Sequence, residues 1–115
     1  MQAYILKHRK PIVCDDKIKF IKFFSCKGKR RVRSHRFANG VWVSTVFLAL
    51  DHNFAGGPPL LFETMAFDGD FEELTRLRCS TWRQALEQHR ETLKVIKNYG
   101  KEKRETESPI ARGIY

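Results

Sequence analysis

From Phe37 to Thr75 the chain has no lysine or arginine, and from Lys17 to Leu50 it has no aspartate or glutamate. These two gaps reveal a partition that the net charge of +9 conceals. Residues 1–36 hold twelve Lys/Arg against Asp15 and Asp16, residues 37–75 hold six acids, and residues 76–115 return a balance of +5. Such blocks fit a cationic face for an anionic partner, because summed positive potential speeds encounter with polyanions. They fit equally well two oppositely charged segments that pack on one another. Long apolar runs are also missing, which excludes a membrane-spanning helix. Met1 to Lys10 lacks the apolar core and small-residue cleavage site of a signal peptide, so the chain is expected to stay in the cytoplasm. Only three cysteines occur, Cys14, Cys26 and Cys79, and their odd number and wide spacing suit reduced thiols.

A chain of 115 residues, 42% hydrophobic and 30% charged, suffices for one globular domain with one core. The most telling stretch is Val43 to Phe67, where two apolar, β-rich runs flank a loop. That loop opens with Asp51-His52 and closes with Gly56-Gly57-Pro58-Pro59. Val41 to Leu50 reads as a central strand covered on both faces, with Val41, Val43, Phe47 and Ala49 against Trp42, Val46, Leu48 and Leu50. Leu60 to Phe67 reads as its antiparallel partner, and Glu73 to Arg78 as a more polar edge strand. Asn39-Gly40 and Asp68-Gly69-Asp70 are turns.

Upstream, Ala3 to Leu6 fits a short edge strand ended by Lys7-His-Arg-Lys-Pro11. Residues 15–24 stay open between two readings. Asp15 or Asp16 can cap a helix whose apolar positions are Ile18, Ile21 and Phe24, or Ile18, Phe20 and Phe24 can line one side of a strand; the helix is favoured. Lys27 to Arg36 is a basic turn leading into a strand. Downstream, Thr81 and Gln84 have capping-box spacing at the start of a helix over about 81–98. Trp82, Ala85, Leu86, His89, Leu93 and Ile96 form its apolar stripe, and Gly100 ends it. The expected fold class is therefore α+β, an antiparallel sheet of three to five strands with the helix on one face. Residues 1–100 form the domain, with a polar, flexible tail over 101–115. In the core, Trp42, Phe47, Leu48, Leu61, Phe62, Trp82, Leu86 and Leu93 are expected to be mostly buried.

The segments WVSTVFLALDHNF (42–54), GPPLLFETMAF (57–67) and CSTW (79–82), followed by Ala85 to His89, carry a resemblance. Over roughly residues 15–93 the chain resembles a family of small uncharacterised proteins found in bacteriophages and prophages. Trp82-Arg83-Gln84 replaces that family's acid-rich helix start, Gln88 replaces its glycine before the helix histidine, and the first third is far more basic. The resemblance implies a phage origin, residence in the cytoplasm of a bacterial host, and the core fold. It brings no established activity.

Two sets of residues are candidates for function. Lys27, Lys29, Arg30, Arg31, Arg33 and Arg36 form a partner-binding segment, since Lys and Arg neutralise phosphates and release counterions. Phe20, Phe23, Phe24, Phe37 and Trp42 offer stacking surfaces nearby, or else simply join the core. With Val32 inward, Arg31 and Arg33 would point outward together. Asp51, His52, Glu63 and His89 are a second candidate site. They have ligand types suited to zinc, but no pair has the tight spacing of a metal motif, so no metal and no cofactor is expected. No Gly-x-Ser-x-Gly nucleophile accompanies a His–Glu pair, so a metal- or His/Glu-dependent enzyme ranks third. Asp51 also suits a turn, accepting backbone N–H bonds at a strand end. Glu63 either faces water on the open side of the sheet or needs a partner, with His52, His89 or an upstream base available. The leading expectation is a non-catalytic phage accessory protein. It would inhibit a host defence or nucleic-acid-handling complex, an anti-CRISPR-like role, by binding a host protein or ribonucleoprotein through the basic face. A binding module for RNA, DNA or a small anionic nucleotide is the alternative.

Overall fold

The computed structural model describes the backbone of residues 1–106 and the side chains of residues 1–98. The chain opens with a hairpin, β1 (Tyr4–Lys7) and β2 (Lys10–Val13), followed by α1 (Lys17–Phe24) and the single turn α2 (Lys27–Arg30). Four strands follow, β3 (Arg31–Arg36), β4 (Trp42–Phe47), β5 (Phe62–Phe67) and β6 (Glu73–Cys79), and α3 (Trp82–Thr106) closes the described chain. The last four strands form one antiparallel sheet in sequential order, separate from the β1–β2 pair. This is an α+β fold, with α3 packed on one face of the sheet.

Local chemistry accounts for most of the elements. Asp16 caps α1 by accepting from the backbone N–H of Lys19, which decides the ambiguous 15–24 stretch for helix. The helix turns a different face inward from the one its Ile18/Ile21/Phe24 spacing suggests. Phe23 is buried and Phe20 packs against the core, while Ile18 is 68% exposed and Ile21 60%. Phe23 wins because its ring meets Phe47 edge-on at 5.9 Å. At α3 the capping box is complete: Gln84 N–H donates to Thr81 Oγ1, and Gln84 Oε1 accepts from the N–H of Ser80 and Thr81, each at 3.1 Å. Gly100 does not end this helix, which continues to Thr106; 107–115, the rest of the expected tail, lie outside the described residues.

Strand β2 was hidden in the sequence by Pro11. It forms because His8 and Arg9 both take positive φ, 51° and 67°, the backbone signs of a type I′ hairpin turn built here without glycine. The hairpin hangs from the end of β4, where Tyr4 N–H donates to Ala49 O at 2.7 Å. Ala49 itself has φ 69°, so regular pairing stops at Phe47, three residues short of the expected strand end.

β4 is not covered on both faces. Val41, Val43, Thr45, Phe47 and Ala49 are buried under α3 and the N-terminal elements, whereas Trp42, Ser44, Val46, Leu48 and Leu50 are half-buried on the other side. Of the expected core residues, Phe47, Leu61 and Phe62 are fully buried, and Trp42, Leu48, Trp82, Leu86 and Leu93 are partly so. On α3 the deepest side chains are Ala85, His89, Thr92 and Ile96. Because Phe47 contacts both Phe23 and Phe62, Phe47→Ala should lower unfolding free energy by about 3–5 kcal/mol, the usual cost of emptying a large aromatic site. Urea denaturation of the soluble variant measures this, and a midpoint equal to the parent's would contradict the assignment.

Candidate functional site

The basic segment occupies one turn of helix and one edge strand. Lys27, Lys29, Arg31, Arg33 and Arg36 are exposed, while Arg30 is half-buried, its Nε donating to Phe24 O and its guanidinium stacked 4.1 Å from the Phe24 ring. None of the six forms an ion pair among the described residues. The register of β3 corrects the expected pairing of Arg31 with Arg33. Arg31 lies opposite Val46 and Arg33 opposite Thr45, with an irregularity between them at Val32. A bulge of this kind moves the alternation by one residue. Arg31 therefore shares the face of Val46, and Arg33 shares the α3 face of Thr45. Arg36, opposite Trp42, returns to the open face.

Asp51, His52, Glu63 and His89 do not converge. Asp51 Oδ1 accepts from the N–H groups of Asn53 and Leu60 at 2.8 and 3.0 Å, and so pins both ends of the 51–60 loop. Asn53, which sequence reasoning passed over, adds a bond from Nδ2 to Pro58 O and accepts from the N–H of Ala55. His52 donates through Nδ1 to Leu50 O at 2.7 Å. Glu63 lies on the open face but is only 8% exposed, held by Arg78 at 2.9 Å and Arg76 at 3.9 Å. Its partners thus come from β6, and neither histidine nor any base of the first third takes that place. His89 is on the opposite face, against Thr45. Among the described residues no three His, Cys, Asp or Glu side chains are grouped to hold a metal ion.

What the fold does assemble at His89 is a buried polar chain. Thr64 Oγ1 and Thr45 Oγ1 are 2.7 Å apart, and Thr45 Oγ1 is 2.7 Å from His89 Nδ1. Both threonines are fully buried and His89 is 4% exposed. Thr64 Oγ1 has no other hydrogen bond among the described residues. If Thr64 donates to Thr45 and Thr45 donates to Nδ1, each hydroxyl hydrogen is used. The reverse direction strands the Thr64 hydroxyl hydrogen in the core, which carries a desolvation cost. The favoured arrangement is therefore neutral His89 with its proton on Nε2. His89 lines a cleft of about 580 Å³ between β3 and α3, together with Arg31, Arg33, His35 and Leu93.

A different surface lies on the open face. Trp42 and Phe67 sit side by side with ring centroids 5.5 Å apart, Arg36 stacks 5.1 Å from the Trp42 ring, and Trp42 Nε1–H donates to Ser34 Oγ at 2.7 Å. Period-two alternation through 41–47 marked Trp42 for the face opposite Val43. Its partner Phe67 depends on the β4–β5 register, which the sequence leaves unstated.

Burial lowers the His89 pKa below its ordinary 6.5, and the neighbouring charges of Arg33 and His35 lower it further. Burial pushes the Cys79 thiol up to about 11, against a smaller opposing effect of its bond to Thr81, so it is a poor nucleophile at neutral pH. A histidine with a depressed folded-state pKa is protonated more readily in the unfolded chain. Its contribution to stability is complete above 6.5 and is lost as pH falls through the window below that value. Urea midpoints between about pH 5 and pH 7 should therefore fall with acidification, and His89→Gln should flatten that slope. An unchanged slope in a folded His89→Gln variant would remove His89 as its source.

No family model, curated protein or solved structure matches the chain, so the reading of its function rests on the geometry above and on the residues themselves.

Proposed function

We propose that this chain is a non-catalytic phage accessory protein that inhibits a host defence or other nucleic-acid-handling complex by binding it directly. Docking uses the basic segment of α2 and β3 together with the adjoining face of α1. The observation that carries this reading is the company those charges keep. Lys27 and Lys29 form no ion pair among the described residues, and α1, the helix that precedes them, presents Ile18 and Ile21 largely exposed, flanked by Lys17, Lys19 and Lys22. Large aliphatic side chains held in water on a small domain mark an interaction surface, and apolar contacts ringed by charge suit a protein partner with an acidic rim. The cations steer the encounter and the aliphatic groups supply burial. The resemblance of 42–54 and 57–67 to phage proteins supports the biological setting.

Affinity capture from host lysate, run with and without nuclease, tests this. A protein partner that survives nuclease is expected. It should be lost in Ile18→Ser/Ile21→Ser and in Lys27→Glu/Lys29→Glu, both of which should melt near the parent because exposed side chains contribute little to stability. Retention of the partner by both variants would defeat the docking surface.

A second reading is favoured by the open face. The Trp42–Phe67 pair with Arg36 alongside is a stacking surface with a cation beside it, which suits single-stranded RNA or DNA. If captured material disappears with nuclease, and Trp42→Ala rather than Ile18→Ser removes it, the protein is a nucleic-acid-binding module.

A further inference from the structure

The cleft between β3 and α3 is built differently from either of these surfaces. It is lined by His89, a polar side chain that is only 4% exposed. The Thr64–Thr45 pair fixes its ring through Nδ1, at 2.7 Å per link. Such a relay selects the tautomer and orientation of an imidazole and directs its Nε2–H at whatever occupies the space beyond. Nε2 has no hydrogen-bond partner among the described residues. The wall on the β3 side carries Arg33 and His35, which face α3 because they lie opposite Thr45 and Val43. Among the described residues no acid lines the cleft; its polar side chains are those of Arg31, Arg33, Ser34, His35 and His89, with Gly28 at its border. An arginine fork, an imidazole beside it and a preorganised N–H donor match an oxyanion with several acceptor oxygens.

We infer that this cleft is a phosphate-binding site, in which Arg33 and His35 on β3 and the Nε2–H of His89 on α3 converge on one phosphate group. A neutral imidazole is the right donor here. Beside Arg33 a second full charge at His89 would be repelled when the site is empty, whereas a fixed N–H dipole costs nothing to hold ready. The bulge at Val32 belongs to the same design, because without its shift of register Arg33 and His35 would face away from α3. The phosphate has two possible sources, the terminal group of a free nucleotide or a phosphodiester within a nucleic-acid strand. The inference goes beyond docking to a protein and does not depend on it: Ile18 and Ile21 are outside the cleft.

NMR of the full chain tests this directly. A long-range proton–nitrogen spectrum of the side-chain imidazoles should show His89 neutral, with Nε2 protonated and Nδ1 not. Inorganic phosphate should shift the His89 and His35 signals saturably, with a dissociation constant in the millimolar range or below. Arg33→Gln should weaken this affinity by about tenfold or more, the loss of one charge-assisted pairing. Arg36→Gln, which removes the same charge from the opposite face, should leave it nearly unchanged. A nucleoside monophosphate and a short single strand with hydroxyls at both ends then separate the sources. Competition by the monophosphate alone assigns a terminal phosphate, and competition by the strand assigns a backbone phosphate. The inference is overturned if phosphate produces no saturable His89 shift, or if Arg33→Gln and Arg36→Gln weaken binding equally, which would report general charge alone.

Discussion

The antiparallel pairing of β4 with β5 is the constraint on which everything else rests. It sets Thr45 opposite Thr64, Phe47 opposite Phe62 and Val46 opposite Glu63. In a strand the side chains alternate, so one register assigns every residue of both strands to a face, and a slip of one would invert them all. With this register the two large rings meet under α3 and the N-terminal elements at 5.3 Å, and the two threonine hydroxyls come within 2.7 Å. Glu63 goes to the other side, where β6 supplies Arg78 and Arg76. A shifted register would place a carboxylate under the helix with no partner and would expose the rings.

Most polar groups in this core are answered, Trp82 Nε1 and Gln88 Oε1 being the buried atoms left without a partner among the described residues. The threonines bond to one another and to His89, and Thr92 on α3 donates its hydroxyl to Gln88 O in the preceding turn at 2.7 Å. Such networks fix a unique arrangement when complete and weaken a core when broken. Here the network also ends at a surface. The imidazole at its end lines the cleft beside the cationic edge strand, so the buried pair on β4 and β5 orients a group that the cleft shares.

The basic strand shows how a small irregularity divides a charge cluster. A regular β3 would present Arg31 and Arg33 to one partner. The irregularity at Val32 puts Arg31 in register with the face of Trp42 and Phe67, and Arg33 with the face of His89, while Arg31 still borders the cleft at its edge. Six cations that look like one patch in the sequence therefore serve three surfaces: the α1–α2 corner, the open sheet face and the cleft. Each surface adds a different companion to the charge: exposed isoleucines, stacked rings or an oriented imidazole. The companion, more than the charge, distinguishes what each surface can recognise.

The sequence by itself determined whatever is encoded within a few residues. Asn39-Gly40 made a turn, the Thr81/Gln84 pair started a helix, Asp51 closed its loop, and apolar patterning marked most of the strands other than β2 and hence the α+β class. These outcomes depend on backbone groups near in the chain, so their chemistry is local. The tertiary structure decided the rest. Which face of α1 is buried depended on Phe47, far along the chain from the Ile18 and Ile21 that it leaves outside. The separation of Glu63 from His89, the joining of Thr64 to Thr45, and the parting of Arg31 from Arg33 all follow from strand register and one bulge. Register is a relation between segments, and no single segment carries it; a residue's letter states what chemistry it can do, and only the pairing of strands states beside whom.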